Sequence, residues 1–246
     1  MASRSAASPT VERDPGRPAV PAPRVEALFD LAVGAFELVG AGDPGTLLAE
    51  ERSAVAGASL RRVSEFAGGR RCAHAALDHC GIAPAPLLPA PDRSPRWPPG
   101  VIGSIAHTAD YAVAVAARGP GHVRPTGIGV DAERVDRMTP ELVRTICTGR
   151  ELDWLTRLPV ERRAVAATAV FGAKEAFYKA QHPTTGSWVG FSEVTTRPFG
   201  AGLELSPVGG SPALALWRWP VSARWFDRDG IVVVGVTVHA SGGEGS

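Results

Sequence analysis

Seven prolines fall between Pro84 and Pro99, and no helix or strand survives that density. Proline fixes φ and carries no backbone N–H, so it interrupts both kinds of hydrogen-bond ladder. The chain must therefore complete its first helices before this stretch and start new strands after it. The stretch also carries Arg93, Arg96 and Trp97, more chemistry than a plain linker needs. Long irregular loops in compact proteins are often functional.

The segments on either side follow. Val33 to Val39 reads as a strand and Asp43-Pro44-Gly45 as a turn. One helix is predicted from Leu48 to about Arg62, and a second from Arg70 to His79, stopped by Gly81 and Pro84. Val101 to Ala106 and Tyr111 to Ala117 read as strands joined through His107-Thr108-Ala109-Asp110. Thr126 to Glu133 is a further strand-like run. Helices are predicted around Pro140 to Cys147 and Arg150 to Thr156. An alanine-rich helix is predicted over Arg162 to Gln181, with Pro183 as its stop. Ser187 to Val194, Leu203 to Leu205, Leu214 to Val221 and Gly230 to Ala240 read as antiparallel β. This order predicts an α+β chain of two similar halves, residues 25–122 and 123–241, with a seam near Gly119 to Arg124. It is not the regular alternation of a doubly wound sheet. Residues 1–24, with Pro9, Pro15, Pro18, Pro21 and Pro23, read as a disordered tail, and the C-terminal Gly/Ser segment as mobile.

Composition removes several function classes. A formal net charge of +1 gives no global field for nucleic acid, so any anion site must be a local cluster of cations. Three cysteines, an odd and sparse count, give no disulfide framework and no CxxC pair, and point to reduced thiols in the cytosol. No apolar run reaches the ~20 residues of a membrane helix, and residues 1–24 lack the apolar core of a secretory signal.

Two segments carry the chemistry. In Gly127-Ile128-Gly129-Val130-Asp131-Ala132-Glu133, strand alternation places Asp131 and Glu133 on one face. Paired carboxylates at that spacing repel, and a divalent cation removes the conflict. Taken alone, the same pair could simply open a solvated loop. In Phe171-Gly172-Ala173-Lys174-Glu175-Ala176-Phe177-Tyr178-Lys179, the residues Phe171, Glu175 and Lys179 share a helix face. Taken alone, Glu175 and Lys179 could be a surface ion pair, but Phe171 on the same stripe turns that face inward. Three carboxylates and a lysine without His or Cys suit Mg²⁺ shared with substrate phosphates. No GxxxxGK[ST] loop is present. Arg61, Arg62, Arg70, Arg71, Arg93 and His107 offer an anion site, with Arg70-Arg71 read at a helix start where a phosphate would offset the unfavourable dipole.

The two segments, about forty residues apart, resemble the signature motifs of 4′-phosphopantetheinyl transferases of the surfactin and enterobactin type, especially those of actinobacteria. Glu65-Phe66, Arg70 and Cys72-Ala73 are similar to that family's N-terminal helix. Arg93-Ser94-Pro95-Arg96-Trp97-Pro98 is similar to its coenzyme-binding loop, and Gly103-Ser104-Ile105-Ala106-His107-Thr108 to its histidine motif. Trp188-Val189-Gly190-Phe191 is similar to the strand after its catalytic helix. The family often has Ser or Thr where this chain has Ala106.

The resemblance implies two α+β halves related by a pseudo-twofold axis, with coenzyme A in the cleft between them. It implies Mg²⁺ on Asp131, Glu133 and Glu175. Coenzyme A would be bound by Arg62, Arg70, Arg93, His107, Lys174 and Lys179, with Glu175 and Lys179 catalytic. The implied reaction gives a holo acyl or peptidyl carrier protein and 3′,5′-adenosine diphosphate, in polyketide, nonribosomal-peptide or siderophore synthesis. A cytoplasmic monomer is expected. A Mg²⁺-dependent diphosphate hydrolase and a non-catalytic coenzyme A or carrier-protein binding module are the alternatives left open by the sequence.

Overall fold

A computed structural model describes residues 24–119 and 126–241. The expected N-terminal tail (apart from Arg24), the C-terminal tail after residue 241 and all of the expected seam except Gly119 lie outside the described residues. The N-terminal half contains strand β1 (Gly34–Val39), helices α1 (Ala49–Ala54) and α2 (Leu60–His79), and strands β2 (Val101–His107) and β3 (Tyr111–Arg118). The strands form an antiparallel sheet in the order β1-β3-β2, against which α2 packs. The C-terminal half runs β4 (Thr126–Arg134), α3 (Pro140–Ile146), α4 (Gly149–Arg157), α5 (Val160–Thr185), β5 (Val194–Phe199), β6 (Gly202–Pro207), α6 (Pro212–Ala215), β7 (Val221–Arg228) and β8 (Ile231–His239). Its sheet is antiparallel with order β4-β8-β7-β6-β5. Among the described residues, no helix is long and apolar enough to cross a membrane.

Several boundaries differ from expectation. The predicted helix from Leu48 to Arg62 is two helices, because Gly57 takes φ +78° and Ser59 then caps α2 by accepting from Arg62 N at 3.3 Å. The next helix starts at Leu60, not Arg70. Gly68 and Gly69 are not a break: they let α2 lie close to Ala112 and Ile105 of the sheet. Arg70 and Arg71 are therefore mid-helix, and the proposed help from a helix N-terminus does not apply to them. Pro183 lies inside the last turn of α5, which ends at Gly186 in the left-handed region (φ +61°). Residues 187–193 are loop and a 3₁₀ turn rather than strand. The apolar run from Leu214 is buried around α6, and the strand of that region begins only at Val221.

The site is positioned by two contacts. First, α5 lies directly on β4. A Cβ at Gly127 would overlap Ala180 O, and one at Gly129 would overlap Ala176 O. The approach is sealed by Ala169, Val170, Ala173, Ala176 and Phe177 of α5 against Val232, Val234, Val236 and Val238 of β8, all buried. Second, β2 meets β4. Ser104 Oγ accepts from Val130 N at 3.0 Å, and Ile128, Val130 and Val233 share a core with Val113 and Val115 of the other sheet.

Adding a methyl group at Gly129 forces helix and strand apart. We expect Gly129→Ala to cost about 1–3 kcal/mol of unfolding free energy, as overpacking does. Gly149, which opens α4 with nothing near its missing Cβ, gives the contrast: Gly149→Ala is expected to be neutral or to stabilise by up to about 1 kcal/mol. Urea unfolding of the two variants checks the pair.

Candidate active site

The even residues of β4 (Ile128, Val130, Ala132) enter the core shared with the N-terminal half. Its odd residues face α5, as the alternation predicts. Asp131 is buried, and Lys179 Nζ donates to its Oδ1 at 2.6 Å and to Val130 O at 3.2 Å. Asp131 Oδ2 is also buried and has no hydrogen-bond partner. A buried carboxylate oxygen left bare is costly, and a cation is the simplest partner for it.

Glu133 and Glu175, both half-buried, complete the acidic group. Burial, followed by the neighbouring charge of Asp131, pushes the Glu133 carboxyl up to about 7. The same two causes raise Glu175 above the ordinary carboxylate range, and Lys179 opposes both shifts. Among the described residues, no three His, Cys, Asp or Glu side chains are already gathered into a metal cage. Mg²⁺ does not require one, since it is commonly held by one or two carboxylates plus waters and substrate phosphates. Donor chemistry, the bare Asp131 oxygen and the mutual repulsion of the three carboxylates fit that ion.

The predicted cations divide. Arg62, Arg70, Arg93 and His107 line one recess of about 490 Å³, together with Phe66 and Pro95. Arg70 is buried, its guanidinium 4.1 Å from the Phe66 ring centroid and its Nε donating to Leu87 O at 2.6 Å. Burial lowers its pKa to about 10, still far above neutrality. His107 lies 3.4 Å from Arg62 Nη1. Burial first, and then the charges of Arg62, Lys179 and Arg70 against the opposing pull of Glu65, hold its pKa below the usual histidine value. At neutral pH His107 is then available as a neutral hydrogen-bonding group. Arg93 takes φ +70°, a strained conformation for a non-glycine residue, inside a turn closed by Ala90 N to Ser94 O and Arg93 N to Ala90 O.

Arg93, Pro95 and Ile105 also border a second recess of about 240 Å³, lined by Trp97, Ser104, Tyr178, Lys179 and His182. The two recesses are therefore neighbours, one reaching α2 and the other Lys179.

Lys174 does not belong to it. Its ammonium is buried against α4 and donates to Glu151 Oε2 (2.8 Å), Ile146 O (3.0 Å) and Phe191 O (2.9 Å). All three donors are used, so the expected coenzyme A contact of Lys174 is withdrawn. Sequence reasoning missed the Asp92–His182 contact at 3.4 Å, which joins the proline loop to α5, and the aromatic contacts of Tyr178 with Trp188 (4.9 Å) and His182 (5.0 Å). The spacing Tyr178–His182, one helical turn, was the available local signal; Asp92 had none.

Residues 50–117 match the 4′-phosphopantetheinyl transferase N-terminal domain, and residues 127–218 match the 4′-phosphopantetheinyl transferase superfamily. The chain is 34% identical over 213 residues to 4′-phosphopantetheinyl transferase Svp of Streptomyces mobaraensis, covering 82% of each protein. The chain belongs to the 4′-phosphopantetheinyl transferase superfamily. It is also 32% identical over 217 residues to 4′-phosphopantetheinyl transferase PptT of Mycobacterium tuberculosis, covering 79% of this chain and 88% of the relative. Enterobactin synthase component D of Salmonella typhimurium matches at 31% over 183 residues, covering 72% of each. The reaction of a phosphopantetheinyl transferase is transfer of 4′-phosphopantetheine from coenzyme A to a carrier protein.

The raised Glu133 sets a pH dependence for this transferase. A carboxyl with a folded pKa near 7 contributes stability that is complete below its ordinary value of 4.5 and is lost as pH rises through 7. In chelator, wild type should lose stability across that window relative to Glu133→Gln, in urea unfolding measured below and above it. Parallel pH profiles for the two proteins would show that Glu133 is not perturbed.

Proposed function

We propose that the cleft holds coenzyme A with its phosphates on Arg62, Arg70, Arg93 and His107 and its diphosphate beside Lys179, and that Mg²⁺ is held by Asp131, Glu133 and Glu175. The observation that carries this reading is the adjacency of the two recesses: Arg93, Pro95 and Ile105 border both the cationic recess and the recess that contains Lys179. Lys179 in turn bonds the carboxylate whose other oxygen has no partner.

In this reading the carrier serine Oγ attacks the phosphorus that bears the pantetheine arm. The bond from that phosphorus to the bridging oxygen breaks, and 3′,5′-adenosine diphosphate leaves with the electron pair. Bound Mg²⁺ would act as a Lewis acid on the diphosphate oxygens. Lys179 offsets the charge that grows on them, in a site partly screened from water. Glu175, with its carboxyl raised by burial and by Asp131, is the group suited to take the serine proton, directly or through a water. Arg70 anchors a phosphate without needing to be ordered on binding, since Phe66 and Leu87 already fix its side chain.

Intact-mass spectrometry of an apo carrier protein incubated with coenzyme A, Mg²⁺ and this protein tests the reading. We expect a mass gain of one phosphopantetheinyl group that is lost in chelator and in Asp131→Ala. Glu175→Gln should slow transfer by at least about 100-fold, within the usual range for a general base. Full activity of Glu175→Gln at saturating Mg²⁺ would remove Glu175 from both roles. Release of 3′,5′-adenosine diphosphate without any carrier protein would instead indicate a hydrolase.

A further inference from the structure

Among the described residues, each half contains one fully buried glutamate, and the two stand one hundred positions apart, at 51 and 151. Each opens a short helix and accepts the N–H of the residue three before it: Leu48 N to Glu51 Oε2 at 3.1 Å, Thr148 N to Glu151 Oε2 at 2.6 Å. Each also takes a backbone N–H from a distant segment, Leu87 N at 2.9 Å and Thr196 N at 2.6 Å. Each meets a basic side chain of the long helix of its half, again one hundred positions apart: His74 at 2.9 Å and Lys174 at 2.8 Å. The pattern is an internal repeat of the fold, but what lies beyond it differs between the halves.

In the N-terminal half the chain of contacts runs on to the cleft. Leu87, whose N–H is held by Glu51, offers its carbonyl to Arg70 Nε at 2.6 Å. Arg70 then lines the cationic recess. At the corresponding position of the C-terminal half stands Val170, buried in the core. Pro84, Pro86, Pro89 and Pro91 strip backbone donors from the loop around Leu87, so few N–H groups there can be anchored at all. Glu51 does not line the recess. A buried carboxylate is seldom the most stable filling for a core, and fixing geometry is one reason to keep one.

We infer that Glu51 is a positioning residue for ligand binding: through Leu87 it sets where the Arg70 guanidinium stands in the cationic recess. The inference rests on the reading of that recess as the coenzyme A phosphate site. Removing Glu51 loosens the loop and lets Arg70 drift, while Lys179 of the adjoining recess and the Asp131 carboxylate it bonds keep their places. The expected signature is a loss of affinity with turnover preserved.

The experiment uses the full chain and Glu51→Gln. The KM for coenzyme A, and the calorimetric Kd for 3′,5′-adenosine diphosphate, should rise about tenfold, the order of one misplaced hydrogen bond, with kcat within about twofold of wild type. In an Arg70→Met background the same substitution should add nothing to Kd, because the effect travels through Arg70. An unchanged Kd in Glu51→Gln, or an equal further loss in the Arg70→Met background, would overturn the inference. Wild type that fails to bind coenzyme A would instead overturn the reading of the recess. If Glu51→Gln does not fold, Glu51→Asp decides: it keeps the charge and shortens the reach to Leu87 N. A tenfold weaker Kd supports the Glu51–Leu87–Arg70 chain, and an unchanged Kd overturns it.

Discussion

The close seating of α5 on β4 is the constraint from which the rest of the site follows. Gly127 and Gly129 remove the side chains that would separate them, and the alanines of α5 do the same from the other side. At that distance Lys179 reaches Asp131 and Val130 O, and Glu175 comes within the electrostatic range of Asp131 and Glu133. A larger residue at either glycine would widen the gap and take the lysine out of hydrogen-bond reach. Packing density, not an additional polar contact, therefore sets the geometry of the charged groups.

Those charges are arranged in an unbalanced way. Lys179 bonds Asp131 and acts on Glu133 and Glu175 through its charge, and one buried oxygen of Asp131 remains without a partner. The N-terminal side of the cleft has the opposite surplus, with Arg62, Arg70 and Arg93 around a histidine whose pKa burial, and then the charges of Arg62, Lys179 and Arg70, hold below the usual value. Each side alone is electrostatically strained. In the proposed reading, a ligand with several phosphates together with a divalent cation relieves both sides at once, so that the pair would bind better than either component. The Ser104–Val130 contact keeps the two surpluses at a fixed separation.

Much of this was legible in the sequence where local periodicity governs. Alternation on β4 put Asp131 and Glu133 on one face, and the four-residue spacing put Glu175 with Lys179. Lys174 shows the limit of the same logic. It precedes Glu175 by one residue, and a turn of about 100° per residue points it to another side of the helix. Its partner Glu151 sits at a helix start that was recognised, yet nothing local announced that this carboxylate would be buried. Helix α2 runs through Gly68 and Gly69, residues of low helix propensity, because close packing on the sheet overrides that preference. The strand at Val221 alternates clearly between buried and exposed residues, but the richer apolar run just before it drew the assignment away. The Asp92–His182 and Glu51–Leu87 contacts join segments distant in sequence, and no residue-level pattern encodes them.

The electrostatic imbalance makes one quantity decisive: the coupling between Mg²⁺ and coenzyme A. Coenzyme A would be titrated calorimetrically into wild type and Asp131→Asn, each with Mg²⁺ and with chelator. If both ligands relieve one shared strain, Mg²⁺ tightens coenzyme A binding to wild type by about tenfold or more, and the effect largely disappears in Asp131→Asn. Equal affinity for coenzyme A with and without Mg²⁺ in wild type would contradict a metal site built from Asp131, Glu133 and Glu175.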